Sequence, residues 1–431
     1  METSHIIILL ILLGCMATYI PVFMCLFFTS VLGFLFFTDL PILLLVQTLL
    51  RSMDNFALVV VLFFILCGNI MTAGSIVDKL IKVANALVSW LPGGLGMAGV
   101  IACGLFGAIS GSTVATVVAL GGFMIPALID NGYPEKYTLG LMTTSPNLGV
   151  IIPPSIGMIL FSMISNVSLE GLFLTGFLPG ILIIFGVCSY SFLFFRKKSE
   201  IVRMPVPGVS EVAKILKEGF WSLMLPVIIF GGIFSGAFTA NEAAVVACVY
   251  AFVVELFIHR AIKFSDVKKI TVNSAVTSAT LLIIVAGASC FGRLLTLENI
   301  PGAITQAVLS TISDPLVFLL AMNLLLLGVG MFMDIISATM ILGPVFLPML
   351  DAFNIHWMHF GLIMTVNLAI GYCTPPMGVS LYITGAIANR DIIYVSKSVI
   401  PFIVIQLIVL AIITYLPDAV LWLPKFMGFL K

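Results

Sequence analysis

Charge is what this sequence has least of. Asp, Glu, Lys and Arg make up 9% of its 431 residues, against ~25% in an ordinary soluble domain. That excludes a chain wrapped in solvated surface. The charges it does carry balance at 19 basic and 19 acidic, so no net basic field exists to draw nucleic acid or another polyanion. Disulfide and zinc frameworks are missing as well. The eight cysteines stand singly in apolar runs and none forms a C-x-x-C pair, so each reads as a small packing residue. No G-x-x-x-x-G-K-[ST] occurs, which excludes ATP hydrolysis through a P-loop of this chain. The first apolar run, from about Ile6, has no A-x-A cleavage site after it. It reads as a retained helix and not a signal peptide.

What is present is apolar surface. Hydrophobic residues make up 61% of the chain and the mean hydropathy is +1.24, the composition of an all-α polytopic membrane protein. At ~20 residues per span the chain has room for on the order of ten to twelve crossings. Its densest basic segments, Phe195–Arg203 continuing through Lys214 and Lys217, and His259–Lys269, are placed on the cytoplasmic side by the positive-inside rule. The apolar stretch between them holds two crossings with a turn near Gly236–Asn241. Ile76–Trp90, with Asp78, Lys79 and Lys82 beside an apolar face, reads as a helix lying along the membrane interface.

Two places break the pattern. Tyr137 to Leu169 carries no charge, yet its centre reads "NLGVIIPPSIG" (Asn147–Gly157). A counterpart, "AIGYCTPPMGV" (Ala369–Val379), lies further on. Gly149 and Gly371, Pro153 and Pro375, and Pro154 and Pro376 are each 222 residues apart. The same offset pairs Met142 with Met364, Thr143 with Thr365, Pro126 with Pro348 and Gly121 with Gly343. Two related halves follow, about 1–210 and 211–431. Ahead of each seam lies a second irregularity. "FGAISGSTVATVVALGG" (Phe106–Gly122) centres on a small hydroxyl-rich turn, and "GVGMFMDIISATMILGP" (Gly328–Pro344) holds Asp334, which the offset pairs with Ser112. These segments are expected as re-entrant hairpins, about 91–129 and 315–350. The seams are expected as broken helices, about 137–165 and 359–388, with arm helices about 76–90 and 259–270.

Irregular backbone at membrane depth is tolerated only where it is buried in protein or lines a cavity. Interrupted apolar segments at matching places in two halves point to a transporter's midplane site. Proline splits each helix, exposing carbonyls at one end and N–H groups at the other. Carbonyls and hydroxyls suit a small hard cation, and N–H groups suit an anion. Asp334 stands out, since a carboxylate in an apolar segment costs ~2.5–3.5 kcal/mol on insertion scales and normally faces a cavity or a partner. A helix-capping role competes for it, and also for Glu242 beside Asn241. Arg293 could pair with a substrate carboxylate or with Glu298 at a helix end, and the structural role is the one expected because the segment leaves the membrane there. His356 and His359 are expected in a loop at the membrane edge.

In these residues the chain resembles the large membrane subunit of tripartite ATP-independent periplasmic (TRAP) transporters. The likeness runs nearly end to end, through "FFILCGNIM" (Phe63–Met71), "FGAISGSTVAT" (Phe106–Thr116), "GVIIPPSIGMIL" (Gly149–Leu160), "GGIFSGAFTANEAA" (Gly231–Ala244), "NLLLLGVGMFMD" (Asn323–Asp334) and "HFGLIMTVNLAIGYCTPPMGVSLY" (His359–Tyr382). "FTANEAA" stands where the family often has "FTPTEAA", and Cys373 occupies a position that is often aliphatic. The resemblance implies two inverted repeats in an elevator-type secondary transporter of the bacterial inner membrane. It also implies coupling to sodium ions, with no other cofactor. The implied cargo is an organic anion of the sialic acid or C4-dicarboxylate type, handed over by a periplasmic binding protein. The implied membrane partner is a small four-helix subunit (Q), expected as a separate polypeptide. Sodium is expected between Ser110, Gly111, Ser112, Thr113 and the facing Asn147 and Gly149. A second sodium site is expected between Gly330, Met333, Asp334 and the facing Gly371, Thr374 and Pro375. Substrate is expected at Ser112, Asp334, Pro153, Pro154, Pro376 and Glu242.

Three rivals remain. "AISG" at Ala108–Gly111 distantly resembles the G-x-S-G of intramembrane serine proteases, but its first glycine is replaced and no histidine lies within a span to act as base. A channel would pass solute without coupling. An anion:sodium symporter of similar architecture would work without a binding protein.

Overall fold

The computed structural model describes residues 3–18, 20–197 and 206–430, and all its regular elements are helices. Lys198–Arg203, part of the expected cytoplasmic basic segment, lies outside the described residues. Seven of the described helices are long and apolar enough to cross a membrane, or eight if the bent pair Leu43–Met53 and Ala57–Ala73 is one span. This is fewer than hydropathy alone suggested. Several apolar runs are spent on shorter helices, among them Gly94–Ser110, Pro315–Gly330, Trp357–Gly371 and Val379–Ala388.

One group of helices forms a scaffold. The long helix Phe264–Leu297 packs on Val22–Phe36, Leu43–Met53 and Ala57–Ala73, and Ala240–Val253 packs on Ala57–Ala73 and Val209–Phe234. Ile76–Val88 is amphipathic as expected. Its Val77, Leu80, Ile81 and Ala84 face inward, against Gly94–Ser110 and Val209–Phe234. The buried Glu255 caps this arm from another helix, accepting from the Ser75 and Ile76 N–H groups at 2.8 and 2.7 Å. The second arm, expected at about 259–270, is not a separate element. The chain turns at His259–Lys263, and with no proline before Pro301 the helix from Phe264 runs on to Leu297.

Both hairpins and both broken helices form. Gly94–Ser110 turns at Gly111, whose φ of +62° suits glycine, into Thr113–Thr116 and on to Gly122–Asp130. Pro315–Gly330 turns through Met331–Asp334 into Ile335–Ala352. The first broken helix runs Glu135–Thr144, a 3-10 turn Ser145–Asn147 and Leu148–Ile151, then resumes at Ile156–Ser165. The second runs Trp357–Gly371 and resumes at Val379–Ala388. Both Pro-Pro bonds are cis.

The halves interlock by exchange. Each hairpin's first arm packs on the broken helix of its own half: Gly94–Ser110 on Leu148–Ile151, and Pro315–Gly330 on Trp357–Gly371. Each second arm packs on the resumed helix of the other half. Ile335–Ala352 lies on Ile156–Ser165, and Thr113–Gly121 lies on Val379–Ala388. Close approach of glycines permits it. Gly107 sits on Gly149, and a Cβ added to Gly371 would lie 2.5 Å from the Gly330 Cα. Backbone offers that Cβ no escape, so Gly371→Ala is expected to lower stability by about 1–3 kcal/mol. Gly328→Ala, with nothing within 4 Å of the new methyl, should leave stability unchanged or slightly raised. Melting of the two purified variants beside the parent protein checks this, and equal loss in both would refute the close-packing account.

Candidate functional site

Two hairpin tips and the first seam open on one cavity of about 490 Å³, closed on the far side by the scaffold. Ser110, Gly111, Ser112 and Thr113 line it from one tip, Asp334 and Ile335 from the other. Val150, Ile156 and Gly157 come from the first seam, Tyr372 from the second, and Asn69, Thr72 and Thr277 from scaffold helices.

At the first tip the Ser112 hydroxyl accepts the Ala115 N–H at 3.3 Å, starting the short helix. The Ser112 carbonyl accepts the Thr116 hydroxyl at 2.7 Å, and Ser110 Oγ lies 3.4 Å from Thr116 Oγ1. Thr113 is 1% exposed and its hydroxyl oxygen has no hydrogen-bond partner among the described residues. The Ser145 hydroxyl, in the 3-10 turn that packs on Thr113–Thr116, is likewise unpartnered. Buried hydroxyls are normally paired, so these two are oxygens with spare capacity beside a seam, the chemistry a hard cation takes.

At the second tip Asp334 does two things. Its carboxylate caps Ile335–Ala352, accepting the Ser337 N–H at 2.9 Å and the Ser337 hydroxyl at 2.6 Å. It also lines the cavity, so capping the helix does not take the carboxylate off the cavity wall. The Tyr372 hydroxyl accepts the Ile335 N–H at 3.0 Å, tying this tip to its own seam.

Other expected site residues fall elsewhere. Gly149 is packed against Gly107, Ser112 and Thr116, and Gly330 against Gly371. Met333 is half-buried in the second turn. The Thr374 hydroxyl donates back to the Ile370 carbonyl at 2.9 Å. Pro153 and Pro154 are buried beside the first tip, the Pro154 carbonyl lying 2.8 Å from where a Gly111 Cβ would stand. Pro375 and Pro376 are exposed, and neither Pro-Pro pair is among the residues lining the cavity.

The Asn147 side chain is committed to packing. Its amide donates to Gln406 Oε1 at 2.9 Å, and its Oδ1 accepts the Cys373 thiol at 3.5 Å. Cys373 also donates to the Thr143 carbonyl at 3.2 Å, joining the two seams.

Glu242 is a correction. It is the third residue of a capping box, accepting the Thr239 N–H at 2.8 Å while Thr239 Oγ1 accepts the Glu242 N–H at 3.3 Å. It is exposed and outside the cavity, serving the capping role with Thr239 as the cap residue. Arg293 lies in a surface groove beside Arg51 and Gln47, with no ion pair to Glu298. His356 caps Trp357–Gly371, its side chain accepting the Met358 N–H at 3.1 Å. His359 instead is buried and bonds the Ile413 carbonyl at 2.7 Å. Among the described residues no cluster of His, Cys, Asp or Glu is suited to a metal ion.

Sequence reasoning missed the neutral amides. Gln406, from the helix Ile392–Tyr415, holds Asn147 and donates to the Thr144 carbonyl at 3.0 Å. On the same helix Thr414 accepts from Asn323 at 3.1 Å, and Asn323 accepts from Asn367 at 2.5 Å. One helix thus staples both broken helices. The available signal was a lone amide in an otherwise apolar span. At the surface, Arg390 pairs with Glu135 at 2.6 and 3.1 Å, which raises the guanidinium pKa further. Being exposed, that pair is screened by solvent and adds little to stability.

Paired hairpins and broken helices around one shared cavity define a two-repeat membrane fold. A family model described as "Tripartite ATP-independent periplasmic transporter, DctM component" matches residues 9–419. The chain belongs to that family and is the large permease component of such a transporter, a multi-pass membrane protein and not an enzyme. It is 35% identical over 440 residues to the C4-dicarboxylate TRAP transporter large permease protein of Rhodobacter capsulatus, covering 99% of this chain and 100% of that one. It is 35% identical over 422 residues to the sialic acid TRAP transporter large permease protein of Vibrio cholerae, covering 97% and 98%. The crystal structure of the Alcanivorax borkumensis YdaH transporter shares the fold, with a TM-score of 0.67 at 16% identity over 98% of this chain and 100% of that one.

Gln406→Leu is expected to leave the Asn147 amide and the Thr144 carbonyl unpaired, at a cost of about 1–3 kcal/mol. Thermal melting measures it, and Gln406→Glu, which keeps an acceptor for Asn147, should lose less. Parent-like melting of the Leu variant would remove the staple from the account.

Proposed function

We propose that this permease component imports an organic anion across the inner membrane of a bacterium, coupled to sodium entry. A periplasmic binding protein delivers the solute and a small membrane subunit braces the scaffold. The observation that carries this reading is the single cavity shared by both hairpin tips, where unpaired buried hydroxyl oxygen and one carboxylate meet. Sodium, as co-transported substrate, suits Thr113, Ser145 and nearby carbonyls at the first tip, and the Asp334 carboxylate at the second. Its charge offsets the carboxylate and draws the anion. Relatives named for C4-dicarboxylates and sialic acid support an acidic cargo. For movement we propose an elevator. The hairpins and broken helices, bound together by exchanged packing and the amide staple, slide as one body against the scaffold, carrying the cavity contents with them.

The test is uptake into proteoliposomes holding this chain, its small subunit and the binding protein, with candidate acids and an imposed sodium gradient. Asp334→Ala should cut sodium-driven uptake at least about tenfold, as expected for losing an intramembrane charge that serves the site, while insertion is retained. Parent-level uptake in that variant would remove Asp334 from the site, and uptake indifferent to sodium would overturn the coupling.

A further inference from the structure

We propose that the anion accepted here carries one negative charge on an otherwise uncharged, largely apolar body: a monocarboxylate or monosulfonate, and not a dicarboxylate. The proposal rests on the transporter reading above and narrows it to a substrate class.

Three observations carry it. First, Asp334 is the one acidic side chain lining the cavity, and among the described residues no Lys, Arg or His lines it. The two hydrogen bonds from Ser337 lower the cost of that charge without cancelling it. A solute with two charges therefore meets a like charge and no fixed cation. Second, the polar groups able to receive an acid headgroup sit together on one wall. Ile156 and Gly157 open the ten-residue helix Ile156–Ser165, whose first N–H groups lack intrahelical acceptors. The Thr113 residue, 1% exposed and with its hydroxyl unpartnered, lines the same cavity. Third, the scaffold wall opposite has no cation for a second charge. Ile65, Leu281 and Ile284 are apolar. The Thr72 and Thr277 hydroxyls are turned back to the Gly68 and Asn273 carbonyls at 2.7 and 3.0 Å, and the Asn69 amide gives one of its two N–H groups to Ser274 at 2.8 Å, which leaves this wall one neutral donor and no cation. A second carboxylate pushed against that wall would be desolvated without a cation to pair with, whereas an alkyl or carbonyl body would be at home there. Sodium bound with the solute can offset Asp334 and one headgroup, and a further charge would need a further cation.

The experiment uses the full chain in lipid nanodiscs. Its melting temperature is titrated with two monoanions (2-oxobutanoate and ethanesulfonate) and two dianions (succinate and fumarate), in sodium chloride and in choline chloride. A ligand that binds only the folded protein raises the melting temperature according to its affinity. The expected result is half-saturation by the better monoanion at a concentration at least about tenfold below that of either dianion, the size of preference one unmatched charge produces. Thr277→Lys, which places a cation on the scaffold wall, should shrink that ratio. If this variant does not fold, the ratio in the parent protein decides alone. Dianions binding as well as or better than monoanions would overturn the proposal, and so would no response to any of the four. Selectivity for monoanions that ignores sodium would support the proposal while overturning the sodium coupling on which the functional reading relies.

Discussion

Helix broken inside an apolar interior leaves N–H and C=O groups that lipid cannot satisfy. Everything else in this protein depends on how those groups are covered. The cover is supplied by hairpin tips, which reach the two breaks and dock backbone to backbone at Gly107 on Gly149 and Gly330 on Gly371. No side chain could stand between them. Because each hairpin's second arm then lies on the other half's resumed helix, neither half can close its own break alone. The repeats are bound into one body by the need to hide their interruptions.

The cavity is a consequence of that docking. Tips that approach breaks end short of the scaffold, and the space left between holds the polar atoms that capping did not consume. Asp334 shows how closely capping and cavity lining are joined, since the carboxylate that starts its helix also lines the cavity. The glycines, the amides and the Cys373 thiol keep the frame in register. A buried amide left without its partner costs about 1–3 kcal/mol, while the exposed Glu135–Arg390 pair is worth less. The interior polar network therefore decides whether the two breaks stay aligned.

Much of this was legible in the primary structure. Lack of charge placed the chain in a membrane, and the repeat of Gly and Pro at a fixed offset located both breaks within a few residues. The polar turns at Ser110–Thr113 and Asp334 were found because hydroxyls and a carboxylate are conspicuous where every neighbour is apolar. Two readings went astray. Glu242 looked like a site residue and the segment after His259 like a separate arm. In each case structure the pattern did not single out, the Thr239 capping box or an unbroken helix, took up the residues.

What the sequence determined by itself was where helix must stop, because proline and glycine act on their own backbone and need no distant partner. Which groups face the cavity was decided only by the tertiary structure. Gln406 lies far along the chain from Asn147, and the exposed Pro375–Pro376 break has the same local sequence chemistry as the buried Pro153–Pro154 break. Burial and hydrogen bonding are properties of pairs, and the pairs exist only once the two halves have interlocked.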